Sequence, residues 1–122
     1  MPKLGDSLTI TLGVTAKVLT KINGPSNYSS EYLLKETLQD FRCVVRHSKT
    51  GGKNGKPTYD RHNLEVVQTV YATATVPEFY RKFYFVYECL PTDEATDLAD
   101  AIGDLVIADT AELIDELLDW QS

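Results

Sequence analysis

The basic side chains of this acidic protein gather in one stretch of sequence. The segment FRCVVRHSKTGGKNGKPTYDRHNLEV, residues 41–66, holds six of the twelve Lys and Arg residues against only two acids. The formal net charge of the whole chain is nevertheless −6. Lys and Arg bind phosphate groups through charge-assisted hydrogen bonds. The segment therefore indicates a surface for a polyanion, although an ordinary charged hairpin would have the same composition.

Histidine and cysteine side chains give a weaker signal. His47 and His62 would approach each other if the segment folds as a hairpin, and Cys43 or Asp60 could then complete a metal site. Their spacing matches no diagnostic set of ligands, so we expect ordinary strand histidines and no metal. Cys43 and Cys89 are far apart and no CxxC motif occurs, so two small buried apolar side chains are expected.

Motifs of known catalytic sites are absent from the sequence. It contains no GxSxG, HExxH or phosphate-binding loop. Gly51 and Gly52, with Lys53 and Lys56 nearby, lack the strand-to-helix context of such a loop. The acidic C-terminal part offers nothing that would desolvate one carboxylate of a catalytic pair. We therefore predict a protein that is not an enzyme and needs no cofactor.

Charge divides the chain into two parts. Residues 92–122 contain ten acids and no Lys or Arg, which leaves residues 1–91 with a balance of +4. Two surfaces of opposite sign usually face different surroundings. The length of 122 residues favours one domain. No apolar run approaches a membrane span, and the N-terminus lacks a signal-peptide pattern, so we expect a soluble cytosolic protein.

Hydrophobic periodicity predicts strands up to about residue 90. A loop rich in Gly, Pro, Asn and Ser is predicted at residues 23–30, and turns at residues 50–57 and 75–78. The predicted strands are SLTITL (7–12), VTAKVLTKI (14–22), EYLLKE (31–36), DFRCVVRHSK (40–49), TYDRHNLEVVQTVYATA (58–74) and FYRKFYFVYECL (79–90).

Two amphipathic helices are predicted after Pro91. Thr92 would cap the first helix, and a second would begin at Asp109, where Glu112 completes a capping box. The apolar positions of the two helices are Leu98, Ile102, Leu105, Leu113, Ile114, Leu117 and Leu118. Strands that precede helices favour an α+β fold with an antiparallel sheet. We expect an N-terminal hairpin, a sheet of about five strands and the two helices.

Strand alternation predicts a polar sheet face opposite an apolar one. Because neighbouring side chains point to opposite sides, residues of the same parity share a face. One face would carry Arg42, Val44, Arg46, Ser48, Tyr59, Arg61, Asn63, Glu65, Lys82 and Tyr84. Cations and exposed rings suit phosphates and unpaired bases. The apolar set would lie under helices, but two short helices cover only part of a face, so the remainder must be solvated or contact a partner.

Six stretches resemble coat proteins of the small single-stranded RNA bacteriophages, the leviviruses, and especially the Caulobacter-phage branch. They are GDSLTITLG (5–13), TAKVLTKIN (15–23), SEYLLKET (30–37), FRCVVRHSK (41–49), YDRHNLE (59–65) and TVYATATVPEF (69–79). The order of elements is similar too. The resemblance implies one coat-protein domain over residues 1–122, with an outer hairpin (1–23), a sheet (30–90) and helices (92–120).

The family resemblance also implies an assembly and its partners. Such proteins form interlocked homodimers with one continuous sheet, and these build an icosahedral shell, typically T=3. The sheet faces inward to single-stranded RNA and binds a stem-loop at the start of the replicase gene, which represses translation. A single maturation protein per particle is a further partner. The implied location is the virion, and the bacterial cytoplasm during assembly. Calcium at subunit contacts stabilises some of these shells.

Residue roles follow from the same resemblance. RNA contacts would come from the ten residues of the polar face, with Arg46, Arg61 and Lys82 on phosphates and Tyr84 stacked on a base. Val44 departs from the small polar residue usual in the family, and Glu65 and Glu88 would repel phosphate. The dimer contacts would be Leu98, Ile102, Leu105, Leu113 and Leu117, and the loop at the shell's symmetry axes Ala74, Thr75, Val76, Pro77 and Glu78.

One alternative to a shell-forming coat protein is kept open beside the resemblance. A non-assembling, RNA-binding repressor dimer would use the same sheet face without forming a shell. Some relatives join their subunits by disulfides at the axis loop. This chain should not, because its two cysteines fall in predicted strands.

Overall fold

A computed structural model describes residues 3–22 and 28–121. Most of the predicted loop at residues 23–30 lies outside the described residues. The chain divides into two compact units, residues 1–91 and residues 92–122. The first unit contains the strands and the second contains the helix.

The first unit is one antiparallel sheet whose six strands follow each other in chain order. The strands are β1 (Ser7–Leu12), β2 (Thr15–Lys21), β3 (Ser29–Lys35), β4 (Gln39–Gly51), β5 (Thr58–Val70) and β6 (Phe79–Cys89). The predicted α+β class with an antiparallel sheet is confirmed. The strand count is six, because the N-terminal hairpin joins the sheet through a short ladder in which Thr20 faces Leu33 and Lys21 faces Tyr32.

The turn between β4 and β5 fixes the pairing of the two longest strands. Asn54 and Gly55 both have positive φ, 56° and 77°, which a type I′ turn requires at its central residues. The amide of Lys56 donates to the carbonyl oxygen of Lys53 at 3.1 Å and closes the turn. Asn-Gly is the residue pair that adopts this geometry most readily. The predicted tip is confirmed, and the 13-residue strands beside it pair along their whole length.

The core lies on one side of β3 and β4, beneath the N-terminal hairpin. Leu19 of β2 is fully buried together with Tyr32, Phe41 and Cys43. β2 contacts β4 although the two are not neighbours in the sheet, so the hairpin folds over this face. The Tyr32 hydroxyl donates to the Gly5 carbonyl oxygen at 2.9 Å and holds the segment before β1 in place.

An ion pair fastens the edge of this core. Lys17 Nζ lies 2.9 Å from Glu36 Oε2 and 5.7 Å from the centre of the Phe41 ring. The hydrogen bond from Lys17 lowers the pKa of the Glu36 carboxyl, with a second contribution from Gln39. The long aliphatic stem of lysine also covers apolar surface while its amine remains hydrated.

The second unit is one helix with a break. α1 spans Asp97–Leu118, and residues 108–111 have non-helical φ and ψ. Two helices are predicted, with a break at residues 107–109; α1 consists of two helical segments separated by the non-helical residues 108–111. The predicted start at Thr92 is wrong. Thr96 precedes the helix without a side-chain cap, and Asp93 instead accepts a hydrogen bond from the Ala95 amide at 2.9 Å.

No side chain of α1 is buried within its own unit. Leu98, Ile102, Leu105 and Leu117 are exposed there, and Leu113 is half-buried. Within the described residues, no helix is both long and apolar enough to cross a membrane.

Candidate nucleic-acid interface

The strand register brings the predicted polar face together. Residues directly opposite each other in an antiparallel ladder point to the same side. The rows across β4, β5 and β6 are Arg42–Val67–Lys82, Val44–Glu65–Tyr84, Arg46–Asn63–Val86 and Ser48–Arg61–Glu88, and Thr50 faces Tyr59. All ten predicted RNA-contact residues therefore lie on one side of the sheet, which we call the polar face. The alternation prediction is confirmed, while contact with RNA stays a prediction.

The opposite side is the apolar face, formed by Phe41, Cys43, Val45, Leu64, Val66, Phe83 and Phe85. The N-terminal hairpin covers its β4 part, where Phe41, Cys43 and Val45 are buried. Its β6 part is open, because Phe83 is 54% exposed and Phe85 52%. Such aromatic side chains in contact with water mark a surface for another protein segment.

Carboxylates neutralise most cations of the polar face. Arg42 pairs with Glu31 of β3. Lys82 Nζ lies 3.1 Å from Glu65 Oε1, and Arg61 Nε lies 3.3 Å from Glu88 Oε1. Each pair is partly exposed and contributes at most about 1 kcal/mol, so a phosphate can displace the carboxylate without a large loss of stability. The face is therefore less positive than its Arg and Lys count suggests.

Arg46 is different. It is exposed, and no carboxylate pairs with it among the described residues. It lines a depression of about 230 Å³ with Asn63, Glu65, Lys82 and Tyr84. The side-chain oxygen of Asn63 is buried there and has no hydrogen-bond partner within the described part of the chain. A buried acceptor of this kind is costly unless a donor reaches it. The depression thus combines a guanidinium, an amine, a carboxylate and an aromatic ring.

Aromatic rings complete the polar face. Tyr84 is 61% exposed, and Tyr80 lies beside Lys82, whose Nζ is 5.7 Å from the centre of the Tyr80 ring. An exposed ring next to cations can stack on an unpaired base while the cations contact the phosphates on either side. Val44 is half-buried and lies opposite both Glu31 and Glu65. Those two carboxylates make this part of the face a poor position for a phosphate.

The remaining predicted residues lie outside the polar face. The loop of residues 74–78 is exposed and is shaped by Thr73, whose Oγ1 accepts from the Val76 amide at 3.0 Å. Both cysteines are free and lie in strands. Burial raises the pKa of the Cys43 thiol to about 11. A role of the loop at a symmetry axis and of the helix residues in a dimer stays a prediction.

Comparison with known families adds an independent observation. The family model described as the coat protein of phage phiCb5 matches residues 5–90, more than half of the chain. The chain belongs to this coat protein family. The RNA-phage coat protein suggested by the sequence stretches is thereby confirmed, and the protein is a structural component of the phage capsid. As a phage coat protein, it is located in the virion. No curated protein matches the chain.

Sequence reasoning missed one part of the coat protein's polar face. Glu31 of β3 lies on it and pairs with Arg42, and Ser29 and Leu33 share the same side. The parity of β3 gives this arrangement once the pairing of Glu31 with Val44 is known. The sequence alone contains no turn between β3 and β4 distinctive enough to fix that register.

Proposed function

We propose that this coat protein dimerises, assembles into an icosahedral shell and packages single-stranded RNA against its polar face. The single observation that carries the proposal is the split between the two sides of one sheet. One side collects Arg46, Lys82, Asn63 and Tyr84, and the other exposes Phe83 and Phe85. A shell wall needs such a division, because one side must contact nucleic acid while the other is held by protein.

Dimerisation is supported by three features of the separate units. The apolar face is uncovered at β6, so its aromatic side chains need a cover. β6 is also an edge strand of the sheet, and edge strands present unpaired backbone groups that a second copy can pair with. The helix exposes the apolar side chains of Leu98, Ile102 and Leu117, which can cover the exposed rings of an apolar sheet face. We infer that the helix of one subunit covers the sheet of its partner and that the two β6 strands form one continuous sheet.

RNA binding is supported by the chemistry around Arg46. Its guanidinium has no carboxylate to displace among the described residues, so a phosphate can bind there first. Lys82 can then exchange Glu65 for a neighbouring phosphate, because the pair is partly exposed. The exposed Tyr84 ring offers a stacking surface for an unpaired base. An RNA stem-loop with unpaired bases is the ligand we propose, and its capture would repress replicase translation.

The assembly test uses recombinant protein alone. We expect nuclease-resistant particles tens of nanometres across in electron micrographs, with RNA inside. A sedimentation profile with only monomers would contradict the proposal, and dimers that bind RNA without forming particles would support the repressor alternative instead.

The RNA test replaces Arg46 and Lys82 together with Ala. We expect weaker binding and a flatter dependence on salt, because fewer counterions are released. Arg81→Ala is the matched control, since Arg81 adjoins Lys82 in β6 but lies on the other side, 3.4 Å from Gln68 Oε1. Equal losses in the double variant and the control would show that the polar face is not the RNA surface.

A further inference from the structure

Arg81 is a cation without a carboxylate partner on the apolar side of the sheet. It lies opposite Gln68 of β5, whose neighbour in β4 is the buried Phe41. Two Lys or Arg side chains lie on this side of β4, β5 and β6, and the other one, Lys49, already pairs with Asp60 Oδ1 at 2.7 Å. Arg81 is exposed, and no carboxylate in the described part of the chain pairs with it.

A chain of hydrogen bonds orients the guanidinium of Arg81. The Glu36 carboxylate, which pairs with Lys17, can only accept, so Gln39 donates to it from Nε2 at 2.9 Å. The Gln39 oxygen then accepts from Gln68 Nε2 at 2.8 Å, and the Gln68 oxygen accepts from Arg81 Nη1 at 3.4 Å. Because each bond fixes the direction of the next amide, the covered core holds the oxygen that faces Arg81.

The Phe79 ring supports the same guanidinium. Cζ of Arg81 lies 5.1 Å from the centre of that ring. An arginine stacked on a ring keeps nitrogens available for a planar carboxylate. A purely apolar cover over β6 would bury an unpaired charge, which is costly, whereas a carboxylate in the cover would form a charge-assisted hydrogen bond. The cover of β6 must therefore combine apolar side chains with an acid.

The first segment of α1 offers this combination. Its exposed apolar stripe is formed by Leu98, Ile102 and Leu105. At about 100° per residue, Asp97 and Asp104 project beside that stripe, whereas Asp100 projects farther from it. The helix dipole already favours an acid in the first turn, which accounts for Asp97. That reason does not apply to Asp104, about two turns into the helix.

We propose that Arg81 of one copy pairs with Asp104 on the helix of a second copy, and that this pair positions the helix on the apolar face. The inference rests on the proposed dimer and adds the contact that fixes the register of its subunits. In a two-fold dimer the pair forms twice. It acts on orientation more than on strength, because desolvation offsets much of the attraction in a partly buried ion pair. Arg81→Ala, which leaves no charge on the sheet, should therefore still dimerise.

The test reverses each charge and measures the dissociation constant of the RNA-free dimer by sedimentation. Arg81→Glu should weaken the dimer by at least about hundredfold, because like charges then meet twice in each dimer. Asp104→Lys should do the same. An equimolar mixture of the two variants should recover mixed dimers, since both contacts then join opposite charges. Asp100→Lys is the matched control and should stay within about threefold of the wild type, because its side chain remains in water.

The outcomes separate this contact from the dimer itself. A wild-type chain that remains monomeric would contradict the dimer and the contact together. A wild-type dimer whose dissociation is unchanged in Arg81→Glu or in Asp104→Lys would overturn the contact alone. A mixture that does not recover would also overturn it, and recovery only in the variant with both changes would place the pair within one chain. Recovery in the mixture also shows that both single variants fold.

Discussion

Phe41 and Phe83 occupy the same face of one sheet but have opposite surroundings. Phe41 in β4 is fully buried beneath the N-terminal hairpin, whereas Phe83 in β6 is 54% exposed. Both follow the same alternation, since Cys43 faces Val66 and Val66 faces Phe83. The difference shows that alternation assigns a side chain to a face, and only a covering element makes that face a core. Within residues 1–91 the N-terminal hairpin covers β4, and we infer that a second copy covers β6.

The largest expected effect comes from a charge on the uncovered part of the apolar face. Phe83→Asp should abolish dimers and particles, because a two-fold interface buries the unpaired carboxylate twice, at a cost above about 5 kcal/mol per dimer. Sedimentation measures the loss. Tyr80→Asp is the control for dimer formation, since Tyr80 is exposed on the other face of the same strand. Dimers that survive Phe83→Asp would show that β6 is not covered by a partner.

Leu117→Asp tests the helix side of the same contact. It should dissociate the dimer for the same reason if α1 covers the partner's sheet. Asp115→Asn, two residues before Leu117 at an exposed position on the opposite side of the helix, is the control. Unchanged sedimentation of Leu117→Asp would mean that the helix does not contribute its apolar side chains to the dimer.

A somewhat smaller effect is expected in the covered part of the sheet. Phe41→Ala should lower the free energy of unfolding by about 3–5 kcal/mol, because it leaves a cavity under the hairpin. Urea unfolding at dimer-dissociating concentration measures this change. Phe83→Ala should matter much less under those conditions, since its side chain is already exposed in the single chain. Equal losses of unfolding free energy in Phe41→Ala and Phe83→Ala would show that the β4 and β6 parts of the apolar face do not differ in burial.

On the polar face the two guanidiniums Arg46 and Arg61 should differ. Arg46→Ala should weaken RNA binding by about 1–2 kcal/mol and reduce the salt slope by about 1, because it removes a phosphate contact. Arg61→Ala should do less, since its phosphate contact must first replace Glu88. Binding titrations at several salt concentrations measure both. A larger effect at Arg61 would reverse the order that the ion pairs indicate.

The smallest expected effect is the pH dependence that the buried Cys43 thiol gives to stability. In a Cys89→Ser variant, the ¹³Cβ chemical shift of Cys43 should change with a midpoint at about pH 11, because burial raises the pKa of this thiol. A folded pKa above the unfolded one stabilises the fold at low pH, so this contribution is complete below about pH 9 and is lost as pH rises through about 11. A midpoint near pH 9 would show that the thiol is not buried.

Much of the polar face could be predicted because two local signals agree. Asn54-Gly55 defines the turn, and the period of two then assigns every residue of β4 and β5 to a side. The position of Arg46 opposite Asn63 follows directly. The ion pairs that neutralise the polar face are harder to predict from the sequence. The sequence predicts that Glu65 and Glu88 repel phosphate, but in the structure they pair with Lys82 and Arg61 within the face.

The remaining features depend on contacts that local sequence does not encode. β2 joins β3 through only two facing pairs, so alternation could not show that the hairpin belongs to the same sheet. Thr92 has the right chemistry for a helix cap. The Asp93 carboxylate, however, accepts a hydrogen bond from the Ala95 amide in a turn, and the helix begins only at Asp97. The different burial of Phe41 and Phe83 is also a property of what lies above them.

Hydroxyl-radical footprinting with mass spectrometry is the most direct test of the division between the two faces. Phe83, Tyr84 and Phe85 are consecutive in β6 and point alternately to the two sides. In RNA-free dimers, Phe83 and Phe85 should be protected and Tyr84 reactive, and RNA-filled particles should protect Tyr84 as well. Reactive Phe83 and Phe85 in the dimer, or a Tyr84 that RNA leaves unchanged, would contradict the assignment of protein to one face and RNA to the other.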